Sequence, residues 1–153
     1  MSRTLCDECK SGNVEEVQQM ILNGANVNKT NNDYFCRTPL HIASGNGHLE
    51  IAKVLIASGA LLDKADDTGK TPLYIATLQG HLEMVKVLIA SGALLDRADD
   101  NGKTPLYIAS SHYGRLEIAK VLIASGALLD KADKNGKTPL YIATLQGHLE
   151  MVK

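Results

Sequence analysis

Apolar residues in this chain fall into short helical stretches that come in pairs, and the pairs recur. Between positions 66 and 98, Leu73, Ile75 and Ala76 supply the inner side of a short first helix. Leu82, Val85, Val87, Leu88 and Ile89 give a second helix a broad apolar face. Thr71 suits an N-cap, and Pro72 falls where a missing N–H costs nothing. Gly80 is placed to end the first helix and Gly92 the second, and Asp66-Asp67-Thr68-Gly69 reads as a turn. Ala93-Leu94-Leu95-Asp96 then leads out as an arm into the next turn. In water about 12–15 residues is already marginal for an isolated helix, so stability must come from stacking.

The same unit returns along the chain. TPLHIA at 38–43 is followed by TPLYIA at 71–76, 104–109 and 138–143, with starting threonines 33, 33 and 34 residues apart. A period of this size signals a stack of one small unit rather than a single globular core. T-P-L-H-x-A at 33 residues is a known repeat signature, and over nearly all its length the chain resembles the ankyrin repeat family. The resemblance implies an all-α repeat solenoid of helix-turn-helix units with hairpin-like arms. It divides one domain, 1–153, into an atypical N-terminal capping repeat (1–30), repeats at 31–65, 66–98 and 99–132, and an incomplete one at 133–153. In the cap, Gly12-Asn13-Val14-Glu15 stands where GHLE stands elsewhere, and Glu8 falls where other copies carry alanine, as expected of a solvent-facing unit. At the other end HLEMVK stops before the VLIASG of the other copies, so the end of the core is expected to be partly uncovered.

Composition narrows the function classes. A formal net charge of −1 gives no electrostatic reason to expect nucleic acid, and no apolar run approaches the roughly 18 residues of a membrane helix. MSRTLCDECK lacks the apolar stretch of a secretory signal, and three cysteines, an odd number, suit reduced thiols. A cytoplasmic or nuclear protein is the expectation.

Three apparent sites dissolve on inspection. Gly69-Lys70-Thr71, Gly102-Lys103-Thr104 and Gly136-Lys137-Thr138 imitate the tail of a phosphate loop. That loop requires a further glycine, and Lys64, Arg97 and Lys131 stand in its place. Cys6 and Cys9, with Cys36 and His41 downstream, suggest a metal site. Cys6 and His41 are expected at equivalent positions of successive units, about 8–10 Å apart, which aims the other ligands badly. Small buried thiols are the simpler reading. An enzyme needs one unique constellation, whereas nearly every His, Asp, Lys and Tyr here is repeated. No catalytic residue, cofactor or metal is expected. His48, His81 and His148 read, by the resemblance, as part of the repeat's own structure. Tyr74, Tyr107 and Tyr141 replace the signature histidine that His41 retains.

Information about a partner should lie where the copies differ. The resemblance puts a protein partner against the turn tips and the concave first helices. Candidate contacts there are Tyr34, Phe35 and Arg37; Asp67, Thr68 and Lys70; Leu78 and Gln79; Asp100, Asn101 and Lys103; and Ser111, His112 and Tyr113. Two places break the pattern. Asn31 to Cys36 adds two residues, puts cysteine for glycine and holds the only Phe. Phe35 there is either an interface anchor beside Tyr34 or a cover folded over the junction behind it. Ser110 to Arg115 adds one residue and is expected to push His112 and Tyr113 outward. Leu61, Leu94 and Leu128 recur in the arms, either as an exposed apolar line or, the preferred expectation, buried between arms. The aspartates from Asp63 to Asp100, among lysines and arginines, read as a solvated ridge. The expected function is that of a protein-binding adaptor or inhibitor. The alternative is a structural array, designed or cut from a longer chain, self-associating through its C-terminal end.

Overall fold

A computed structural model describes residues 2–152, the side chain of Met151 excepted. Among these residues there are ten helices and no strand. They pair as α1 (Leu5–Ser11) with α2 (Val14–Leu22), α3 (Pro39–Asn46) with α4 (Leu49–Ala57), and α5 (Pro72–Gln79) with α6 (Leu82–Ala90). α7 (Pro105–Ser111) with α8 (Leu116–Ala124) and α9 (Pro139–Leu145) with α10 (Leu149–Val152) complete the series. First helices pack on first helices and second helices on second helices, so the units form a two-row solenoid.

Each first helix after α1 starts in one way. Thr38, Thr71, Thr104 and Thr138 are N-caps whose hydroxyls accept the N–H three residues on, and proline follows each. The core lies between the two rows, where Leu40, Ile51, Leu55, Leu73, Val85, Leu88 and Leu122 are fully buried. At about 1.5–3 kcal/mol for each such side chain, this layer is the main favourable term holding helices of four to nine residues that would melt alone.

The cap differs from expectation in register. Thr4 is its N-cap, in a capping box with Asp7, so Asp7 matches His41 and Cys6 matches Leu40. α1 is simply one residue shorter than α3. Glu8 is buried rather than facing solvent, held by Arg3 Nη1 at 3.2 Å and by the Ser11 hydroxyl at 3.2 Å. A carboxylate out of water needs such partners.

Candidate protein-binding surface

The tips ahead of the first helices are built by aspartates, of which Asp66 and Asp99 were expected on a solvated ridge. Asp66, Asp99 and Asp133 are buried. Asp66 Oδ1 accepts the backbone N–H of Thr68 and Lys70 at 2.9 and 3.0 Å and the Thr68 hydroxyl at 2.7 Å. Asp99 accepts from Asn101 and Lys103, and Asp133 from Asn135 and Lys137, all at 2.9 Å. Burial works against ionisation of Asp66, but these hydrogen bonds outweigh it and hold its carboxyl below the usual range. For Asp133 the N–H of Lys137 is the leading cause of the same depression. The aspartates' constancy ahead of each Thr-Pro, amid variable neighbours, was the signal available in the sequence.

The second carboxylate oxygen of each aspartate faces the preceding unit. Tyr74 donates its hydroxyl to Asp99 Oδ2 at 2.8 Å, and Tyr107 donates to Asp133 Oδ2 at 3.0 Å. Burial, then the aspartate, push the Tyr107 phenol up to about 12 and that of Tyr74 further. At the first junction Arg37 replaces the phenol, with Nε 3.5 Å from Asp66 Oδ2. His41 reaches across separately: Nδ1 accepts the Thr38 N–H at 3.2 Å, so Nε2 carries the hydrogen and donates to the Lys70 carbonyl at 2.9 Å. Tip backbones also join, Asp67 N–H to the Phe35 carbonyl, Asp100 to Thr68, and Lys134 to Asn101, at 3.0–3.1 Å.

At the far end of the first helices, His48, His81 and His148 bond the carbonyls of Lys10, Gly45 and Ser110 in the unit before, at 3.3, 3.1 and 2.7 Å. Arg115 fills that slot in the irregular unit, Nη2 donating to Leu78 O at 3.1 Å. This role was not foreseen for Arg115.

The irregular loop closes from Asn31, whose N–H donates to Arg37 O at 2.9 Å while its Oδ1 accepts the Arg37 N–H at 2.8 Å. Cys36 takes the place of Gly69 and adopts φ +49°, against +78° for the glycine. The aromatic pair divides. Tyr34 is 94% exposed, whereas Phe35 is 38% exposed with the Arg37 guanidinium 4.6 Å from its ring centroid.

Among the other candidates, Asp67, Gln79, Asp100 and Asn101 are exposed; Thr68, Lys70, Leu78, Lys103 and Ser111 are half-buried. Lys70 and Lys103 lean over the Tyr74 and Tyr107 rings at 5.9 and 5.6 Å, and Leu78 packs on the cluster those tyrosines form with Ile108 and Ile142. Tyr113 is 76% exposed, as expected of the inserted turn, and its hydroxyl donates to Gln146 O at 3.0 Å. His112 is not pushed outward: it is half-buried, with Nδ1 2.9 Å from Ile108 O and 2.8 Å from the Ser111 hydroxyl. Leu61, Leu94 and Leu128 do not bury between arms. They stand about half-exposed while their N–H groups donate to Asn28, Asp63 and Asp96 of the previous arm at 2.8–2.9 Å.

Cys6 and Cys9 are buried thiols, pushed by burial up to about 11 and about 12. Among the described residues no group of three His, Cys, Asp or Glu is placed to hold a metal, and no helix is long and apolar enough to cross a membrane.

The sequence matches the family described as ankyrin repeats (3 copies) over residues 5–99 and again over 92–153. The chain belongs to the ankyrin repeat family. Among curated relatives, it is similar to an ankyrin repeat-containing protein of Saccharomyces cerevisiae, 38% identical over 60 residues. It is also similar to protein phosphatase 1 regulatory subunit 27 of Mus musculus, 41% identical over 59 residues. Each match covers 39% of this ankyrin repeat chain and only 11% and 37% of the two relatives. Ankyrin repeats generally serve as protein-interaction modules, and in this one the polar groups divide into those that tie units together and those left outward.

Proposed function

We propose that this chain is a non-catalytic protein-binding adaptor or inhibitor, working in the cytoplasm or nucleus through its tips and first helices. The observation that carries the reading is the exposure of Tyr34 and Tyr113, which sit in the two irregular segments, one ahead of α3 and the other after α7. Aromatic side chains left this open are suited to anchor a partner. A rigid stack lowers the ordering cost of binding. The three thiols, none of them paired, suit a reducing compartment. The similarity to a phosphatase regulatory subunit supports regulation by binding and covers too little of that protein to carry a specific partner.

The test is affinity capture from a cell lysate with the native chain and with Tyr34→Ala/Tyr113→Ala, helicity being checked for both. A protein held by the first and at least tenfold depleted with the second is the expected outcome. Identical captures would sink the reading. A second reading, a structural array that self-associates through α9 and α10, is favoured by the exposure of Leu140, Leu145 and Leu149. Light scattering over a dilution series decides it, since a strictly monomeric chain rules it out.

A further inference from the structure

A groove of about 1070 Å³ runs along the first three first helices and under the irregular loop. Ile42, Ile75 and Leu78 supply apolar parts of its lining, and Gly45 adds no side chain over Ile75. Its charges are unevenly used. The lining carboxylates Asp7 and Asp33 are both engaged: Asp7 accepts the Thr4 N–H and hydroxyl at 2.8 Å, and Asp33 accepts the Phe35 N–H at 3.0 Å. Glu8 and Asp66, behind the lining, are buried and paired with Arg3 and Arg37. Lys10, Lys29 and Lys70 line the groove with no ion pair among the described residues. On the second helices the pattern is opposite, since Lys53, Lys86 and Lys120 are each bonded to Glu50, Glu83 and Glu117 at 2.9 Å. Asp7 and Asp33 keep their charge, so the groove with the acids behind it sets five cations, Lys10, Lys29, Lys70, Arg3 and Arg37, against four carboxylates over an apolar floor; Lys10 and Lys29 are the cations among the described residues of the groove engaged by neither an ion pair nor a ring.

We infer that this groove takes an extended acidic segment of a partner protein, with an apolar side chain set between its carboxylates. The inference rests on the protein-binding reading above and names the chemistry of the partner. Three first helices at about 8–10 Å spacing span roughly 16–20 Å, the length of about five or six extended residues. Lysine heads at the rim would steer and hold the carboxylates, and an aliphatic or aromatic residue would cover Ile42 and Leu78.

The experiment is selection of a displayed random dodecapeptide library on the full chain, followed by binding of the enriched peptides as fluorescent probes. Enriched peptides should be acidic with an interior apolar residue. Their affinity should fall at least tenfold in Lys10→Glu/Lys29→Glu, fall less in Lys10→Gln/Lys29→Gln, and hold in Lys53→Glu/Lys86→Glu, with thermal melts confirming that each variant folds. Neutral or basic peptides that depend on Tyr34 or Gln79 would overturn the acidic partner and leave the protein-binding reading standing. Peptides indifferent to every first-helix and tip substitution, or no enrichment, would overturn both. Polyuridylate bound through the same lysines, with acidic peptides ignored, would overturn the inference in favour of nucleic acid.

Discussion

The first junction and the two that follow perform the same task with different chemistry. Between the units at 31–65 and 66–98, the outward oxygen of Asp66 meets a guanidinium, and a neutral imidazole separately ties down the Lys70 carbonyl. Between later units one phenol does the first task and no side chain does the second. A tyrosine is longer than a histidine and reaches the carboxylate itself, which frees the tip position for lysine. What is kept from unit to unit is therefore a group of suitable charge or donor character against a buried carboxylate: a hydrogen bond at the later junctions, and at the first an ion pair at 3.5 Å that makes no hydrogen bond.

The largest effect should come from removing that carboxylate where its partner cannot escape. Asp99→Ala leaves the buried Tyr74 hydroxyl and the Asn101 and Lys103 N–H groups unmatched, for about 3 kcal/mol in urea unfolding. Asp66→Ala should cost less, because half-buried Arg37 can turn to water. Equal losses would erase the distinction. Tyr74→Phe is next, expected at about 1–2 kcal/mol, since it orphans one oxygen of Asp99. Adding Lys70→Arg to Tyr74→His copies the first junction onto the second and should return stability to within about 1 kcal/mol of the parent. Failure to recover would mean the two solutions are not interchangeable.

Acid and alkali should separate the junctions by hydrogen exchange. Burial holds the His41 pKa below 6.5, so its contribution is complete above 6.5 and is lost as pH falls from there toward the folded value. Protection around α3 and Lys70 should drop as pH falls below 6.5 while the later junctions hold. Tyr107 titrates near 12 in the fold, raised from 10. Its contribution is complete below 10 and is lost as pH climbs toward 12, so the later junctions should loosen first in alkali. Simultaneous loss of protection everywhere would show a stack too cooperative for local chemistry to matter. The smallest effect is a gain: Cys36→Gly relieves a left-handed cysteine and should add about 0.5–1 kcal/mol after the entropy of glycine is counted. A loss would mean the thiol packs better than its backbone suggests.

Much of the fold was legible because repetition turns one physical argument into four. Thr71, Pro72 and Gly80 mark a helix by local chemistry alone, and the same marks recur at fixed spacing. The cap was less legible, since α1 lacks the Thr-Pro signature and is one residue shorter, which hid Thr4 as a cap and Glu8 as a buried acid. At the surface, residue type said little about who holds whom. Asp66 and Asp67 are neighbours of identical chemistry, yet one is buried and bonded and the other exposed, a difference set by the fold of their own turn and by Arg37 of the preceding unit. His112 likewise turned inward, where the Ile108 carbonyl, which also accepts the Ser111 hydroxyl, lay within reach.

The ties between units have a consequence for heredity. The units that begin at 66, 99 and 133 present the same aspartate backward, and the unit at 31–65 and those at 66–98 and 99–132 can receive it forward. A misaligned genetic exchange that gained or dropped one unit of the later kind would leave each new neighbour matched. The length of such a stack can thus drift between generations without first passing through a misfolded ancestor.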